Sequence, residues 1–235
     1  MIKYFKIILL LFYGLFLTSC SVSEDKVSGQ NPTTKTIKYL ALGDSYTIGQ
    51  SVCESCRFPI QLQDSIKKSF QPNDVFITNI IAQTGWTTAN LKAAIASQNP
   101  SNDYDLVTLL IGVNNQFQNR PFSIYEQEFP ELVNIAIEKA KGVKNRVIVV
   151  SIPDYAYTPF GNGNTTISTQ IDAYNTFAQN YCTQNNITFI NITDITRLGL
   201  QQPNLVANDG LHPSQLAYKK FVERIYPAVK IKLGF

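Results

Sequence analysis

Between residues 37 and 230, short apolar runs alternate with longer segments of helical period, and that alternation leaves few folds open. "IKYLALG", "DVFITNIIA", "YDLVTLLIG", "NRVIVVSIP" and "ITFINI" read as strands. The segments between them read as helices. "FPIQLQDSIKKSF" carries a stripe of Ile60, Leu62, Ile66 and Phe70, and "TTANLKAAIASQ" can be capped by Thr87 or Thr88. "SIYEQEFPELVNIAIEKAKG" has Gly142 placed to end it, "TQIDAYNTFAQNYCTQNN" follows, and Pro213 opens "PSQLAYKKFVERIYPAVK". Strands separated by helices require crossover connections, so the expected class is α/β: a central parallel sheet with helices on both faces. The nearly continuous apolarity of "YDLVTLLIG" fits a strand buried on both sides. No internal repeat or second linker interrupts the pattern, and some 200 residues suffice for one well-buried domain, 37–235.

In such a sheet, ligands gather beyond the carboxyl ends of the strands. The residues able to do chemistry should therefore follow strands, and they do. Ser45 follows the first in "ALGDSY", Gly85 the second in "IAQTGWTT", and Asn114 the third in "LLIGVNNQ". Asp209 and His212 stand in "NDGLHPS", just before the last helix. Each has an ordinary structural reading: Ser45 as a helix cap, Gly85 as a positive-φ turn, Asn114 as a turn residue, Asp209 as a surface acid, His212 as a cap. Four such positions in order at strand ends make those coincidences improbable together.

The set "GDSY", "TGW", "GVNN" and "DGLHP" resembles the SGNH, or GDSL-type, hydrolases along the whole domain. The resemblance implies a flavodoxin-like three-layer α/β/α sandwich and ester hydrolysis through an acyl-enzyme, without cofactor or metal. Ser45 would be the nucleophile, His212 the base and Asp209 its orienter. The oxyanion donors would be the backbone N–H groups of Ser45 and Gly85 and the side-chain amide of Asn114. Tyr46 stands where many members have Leu, and Asn115 where the family pattern ends in Asp.

The chemistry demands these residue types in its own right. A serine hydroxyl attacks poorly until a base takes its proton. His212 is the single histidine among 235 residues, and imidazole alone has an unperturbed pKa near neutrality. A carboxylate three residues earlier, across Gly210, can reach the far ring nitrogen and fix its tautomer.

"SIPDYAYTPFGNGNTT" is long for a connection, and Tyr155, Tyr157 and Phe160 are candidates to line an acyl or sugar pocket or to pack beneath the loop. "NNQFQNRPFS", carrying Arg120, is a second candidate rim, while Trp86 is expected to pack at a helix start. "CESC" admits a disulfide between Cys53 and Cys56, a redox pair or half of a metal site; a small structural disulfide is preferred, with Cys182 a buried free thiol.

The first residues are set apart from this fold. Lys3 and Lys6, an apolar run from Ile7 to Leu17 and small residues ahead of Cys20 make residues 1–19 an export signal. The run is shorter than the ~20 residues a spanning helix needs. Leu17-Thr18-Ser19-Cys20 resembles a bacterial lipobox, which implies lipidation of Cys20 and an exported lipoprotein anchored at the periplasmic or cell-surface side of a membrane. Residues 20–36, polar and rich in Ser, Thr, Gly and Pro, read as its flexible tether. Without Lys3 and Lys6 the net charge falls from +3 to +1 and no basic patch remains, so nucleic acid is not an expected partner. The expected partner is a small-molecule, lipid or glycan ester met by a monomer, with a carbohydrate O-deacetylase and a non-catalytic surface binding protein as the alternatives.

Overall fold

The structure, a computed structural model, describes residues 34–235. The leader, Cys20 and most of the tether lie outside the described residues. Five parallel strands form one sheet among them: β1 Thr36–Gly43, β2 Val75–Ala82, β3 Leu106–Leu110, β4 Val147–Val150 and β5 Thr188–Ile190, in the order β2-β1-β3-β4-β5. This is the doubly wound order of flavodoxin-like sheets. β1 pairs with β2 from Thr36↔Val75 to Gly43↔Ala82, and with β3 from Tyr39↔Leu106 to Gly43↔Leu110, so all three strands end level.

Burial follows position in the sheet. Every residue of β3 and β4 is buried, as runs apolar but for Thr108 require. β2 is an edge strand with Val75 and Ile77 exposed, and its apolar run is interrupted by Thr78 and Asn79. The long helices are α2 Phe58–Lys67, α3 Thr88–Gln98, α5 Phe122–Lys139, α6 Thr165–Gln184 and α8 Gln215–Leu233; the short ones are α1 Ser45–Ile48, α4 Val113–Phe117 and α7 Thr193–Thr196. α2 packs on α8, and α3 on α5 and α5 on α6. Right-handed crossovers put these two groups on opposite faces of the sheet, giving the three layers.

Capping explains where boundaries differ from expectation. α6 starts four residues early because the Asn164 side chain accepts from the Thr166 N–H. Pro213 does not open α8: it pairs with Val206 in an isolated antiparallel bridge, and Ser214 is the cap. Thr87 does cap α3, in a reciprocal box with Asn90.

Candidate active site

The strand order reverses between β1 and β3, and such a reversal opens a crevice at the strands' carboxyl ends. There α1 starts on Ser45 straight after β1, the β2–α3 turn carries Gly85, and α4 carries Asn114 after β3. The turn before α8 brings His212 across. Ser45, Gly85, Asn114 and His212 line one cleft of about 150 Å³, together with Tyr46, Thr84, Val113, Phe117, Tyr155 and Leu211.

Asp209 stands behind His212. Its Oδ1 accepts from the Leu211 and His212 backbone N–H groups, both at 2.9 Å, with Gly210 at φ +71° allowing the tight turn. Its Oδ2 lies 2.6 Å from His212 Nδ1 and accepts from Ser51 Oγ at 2.6 Å. Partial burial alone would raise the Asp209 pKa, but the hydrogen bonds from Ser51, His212 and Leu211 outweigh it and hold the carboxyl well below the usual range. An ionised carboxylate only accepts, so Nδ1 carries a proton, the tautomer that leaves the lone pair of a neutral imidazole on Nε2. The imidazole is buried, its ring centre 5.2 Å from that of Tyr46. The Phe160 N–H braces the turn by donating to the Gly210 carbonyl at 3.0 Å.

Neither Ser45 nor His212 is a helix cap. Asp44 caps α1, its Oδ1 accepting from the Tyr46 N–H at 3.0 Å, and Ser214 caps α8. The Ser45 hydroxyl and His212 Nε2 make no hydrogen bond to a described residue and are open to the cleft. The Ser45 and Gly85 N–H groups are equally unused among the described residues. Gly85 sits at φ +83° with open space where a Cβ would go, so the backbone conformation rather than crowding favours glycine.

Two amides fasten the β2 turn to α4. Asn114 Nδ2 donates to the Trp86 carbonyl at 3.1 Å, and Gln118 Nε2 holds the Gly85 carbonyl at 2.9 Å. Asn115 grips the start of α3, accepting from the Thr88 N–H at 3.0 Å and donating to Thr88 Oγ1 at 2.7 Å. Asp44 is fully buried with Oδ2 unpartnered, and burial pushes its carboxyl up to about 7 against the opposing pull of the Tyr46 N–H, its own N–H and Asn114.

Of the loop aromatics, Tyr155 lines the cleft, its hydroxyl donating to Gln116 Oε1 at 2.8 Å. Phe160 does not itself line the cleft: it is 56% exposed and packs 5.9 Å from Phe117, which does and is 45% exposed, and both rings touch Tyr155. Tyr157 does not line the cleft, its carbonyl lying against Gly199. Arg120 lines a separate cleft with Gln116, Phe122 and Tyr174. Cys53 and Cys56 are joined as a disulfide, and Cys182 is a buried free thiol. Among the described residues no group of His, Cys, Asp and Glu is placed to hold a metal ion. Sequence reasoning passed over Phe117, Asn115, Gln118 and Ser51. The first three lie in a stretch marked only as a rim or as plain turn residues, and no spacing signal links Ser51 to Asp209.

A comparison with curated protein sequences finds no match. Solved structures do match in fold. TesA superposes with a TM-score of 0.63 at 18% identity, over 83% of this chain and 99% of that one. A lipolytic protein of the G-D-S-L family from Veillonella parvula gives 0.63 at 17%, over 81% and 97%. An acetylxylan esterase from Geobacillus stearothermophilus gives 0.57 at 18%, over 86% and 96%. The model of the GDSL-like lipase/acylhydrolase family matches residues 41–220, which include all four blocks, and the chain belongs to that family.

Proposed function

We propose that the protein is a serine esterase that cleaves carboxylic esters of short acyl chains. In the first half-reaction Ser45 Oγ attacks the ester carbonyl while His212 Nε2 takes its proton. The alcohol then leaves with that proton and the acyl group stays on Ser45. Water, deprotonated by His212, attacks the acyl-enzyme and frees the acid. Asp209 keeps the imidazole in the tautomer this needs and stabilises the imidazolium. The N–H groups of Ser45 and Gly85 and the side-chain amide of Asn114 would serve the oxyanion; loss of one such donor typically costs ~10²–10³ in rate.

The observation that carries this is His212, backed by Asp209 Oδ2 at Nδ1, in one cleft with an uncommitted Ser45 hydroxyl and unused backbone donors. The cleft's size supports a small acyl group, since sites for drug-sized ligands run to ~300 Å³ or more. The test is release of nitrophenol from p-nitrophenyl acetate, butyrate, octanoate and palmitate. Turnover that falls with chain length and vanishes in Ser45→Ala is expected; equal background release by both proteins would overturn the proposal.

The exposed Phe117–Phe160 pair favours a narrower second reading, a carbohydrate O-deacetylase, because aromatic faces at a rim can stack a sugar ring. Phe117→Ala should then raise KM for an acetylated oligosaccharide far more than for p-nitrophenyl acetate. The leader further supports export and lipidation at Cys20, and Cys20→Ala should move the protein from the membrane to the soluble fraction.

A further inference from the structure

We propose that Ser51 is a positioning residue that orients Asp209 and, through it, His212; this rests on the triad proposed above. Ser51 Oγ donates to Asp209 Oδ2 at 2.6 Å from 158 positions away, onto the same oxygen that His212 Nδ1 approaches. The other two donors to the carboxylate are backbone N–H groups of its own turn, at Leu211 and His212. Ser51 is therefore the one donor from outside that turn among the described residues, and it sets how the carboxylate is rotated toward the imidazole.

The backbone at Ser51 supports this role. It stands at φ +66°, where an L-residue is disfavoured and glycine is at ease. What serine adds over glycine there is its hydroxyl, and that hydroxyl is spent on Asp209. The loop is tied on both sides of it: the Gln50 N–H donates to the Ser45 carbonyl at 3.0 Å, and the Cys53–Cys56 disulfide closes the following turn. Arg57 adds Nε to the Glu54 carbonyl at 3.0 Å. One short segment thus runs from the proposed nucleophile to the carboxylate that orients its base.

A hydroxyl on Oδ2 draws charge from the oxygen that pairs with the imidazole. Its removal leaves a stronger acceptor, which favours the imidazolium and moves the His212 midpoint up. The other titratable groups around the pair are Tyr46, Tyr155 and Tyr218, whose hydroxyls burial pushes up, Asp44, pushed up to about 7, and Asp154, which pairs with Arg197. Glu54 and Arg57 of the loop pair with each other. All of these are shared by wild type and variants, so a difference between them isolates Ser51.

The experiment uses the full chain without a histidine tag, so that its single histidine gives one set of imidazole resonances. His212 is titrated by NMR in wild type, Ser51→Gly and Ser51→Ala, beside the pH profile of kcat/KM on p-nitrophenyl acetate. Both variants are expected to raise the His212 midpoint by about half a unit or more. The acid limb of kcat/KM should move with it, and plateau kcat should fall about three- to tenfold. Ser51→Gly should unfold at the wild-type urea midpoint or above, because its backbone suits glycine. An unshifted His212 midpoint in folded Ser51→Gly would overturn the proposal, as would a shift confined to Ser51→Ala, which would mark a backbone effect. If wild type turned over no ester, the esterase proposal would fail while the titration still decided Ser51.

Discussion

The environments of Asp209 and Asp44 drive their carboxyls in opposite directions. Asp209 is held low by four donors, so its contribution to stability is complete above the ordinary carboxylate range and is lost as pH falls toward its depressed value. Asp209→Asn should therefore flatten the loss of stability on the acid side of about pH 4. The same substitution should cut kcat/KM by ~10³–10⁴, because an amide can hold the wrong imidazole tautomer. Asp44 runs the other way. Burial raises it to about 7, so the folded state binds its proton more tightly and stability falls as pH rises from about 4 toward 7. Asp44→Asn keeps the acceptor for the Tyr46 N–H but has nothing to ionise. Its melting temperature should change less between pH 5 and pH 8 than that of wild type, as calorimetry can measure. The roles proposed for Ser45 and His212 rest on residue type and place, because nucleophile and base each follow from simple chemistry. The contact of Ser51 with Asp209 was not legible in the sequence, since a side chain reaching across 158 positions leaves no local trace.

Elements were legible where burial is extreme or a cap is explicit. β3 and β4 announce themselves by apolarity, and the Thr87–Asn90 box marks the start of α3. Thr87→Ala should lower stability by about 1 kcal/mol in urea unfolding. The helices α1 and α4, of four and five residues, are too short to show a period, yet they hold Ser45 and Asn114. Their positions had to be inferred from the strands before them. The start of α6 was missed because Asn164 sits in a Gly–Asn run that reads as loop. The Cys53–Cys56 disulfide closes a turn of only four residues, for which chain entropy gives about 2 kcal/mol. Reductant should lower the urea midpoint by no more than that amount; a larger effect would mean that the loop supports the core as well as the site.

Five strands that end level turn four distant stretches of sequence into one cleft. That is why a search for chemistry-bearing residues finds Ser45, Gly85 and Asn114 after strand ends and His212 before the last helix, in one cleft. What that search cannot find are the rim and its width, which depend on how the loop after β4 folds back on α4. Tyr155 binds Gln116 there, and Phe160 meets Phe117. The most direct test of the account is to quench the protein during turnover of p-nitrophenyl acetate and digest it for mass spectrometry. One acetyl group on the peptide containing Ser45, absent from Ser45→Ala, is the expected result. Turnover that persists in Ser45→Ala, or acetyl found only on other residues, would contradict it.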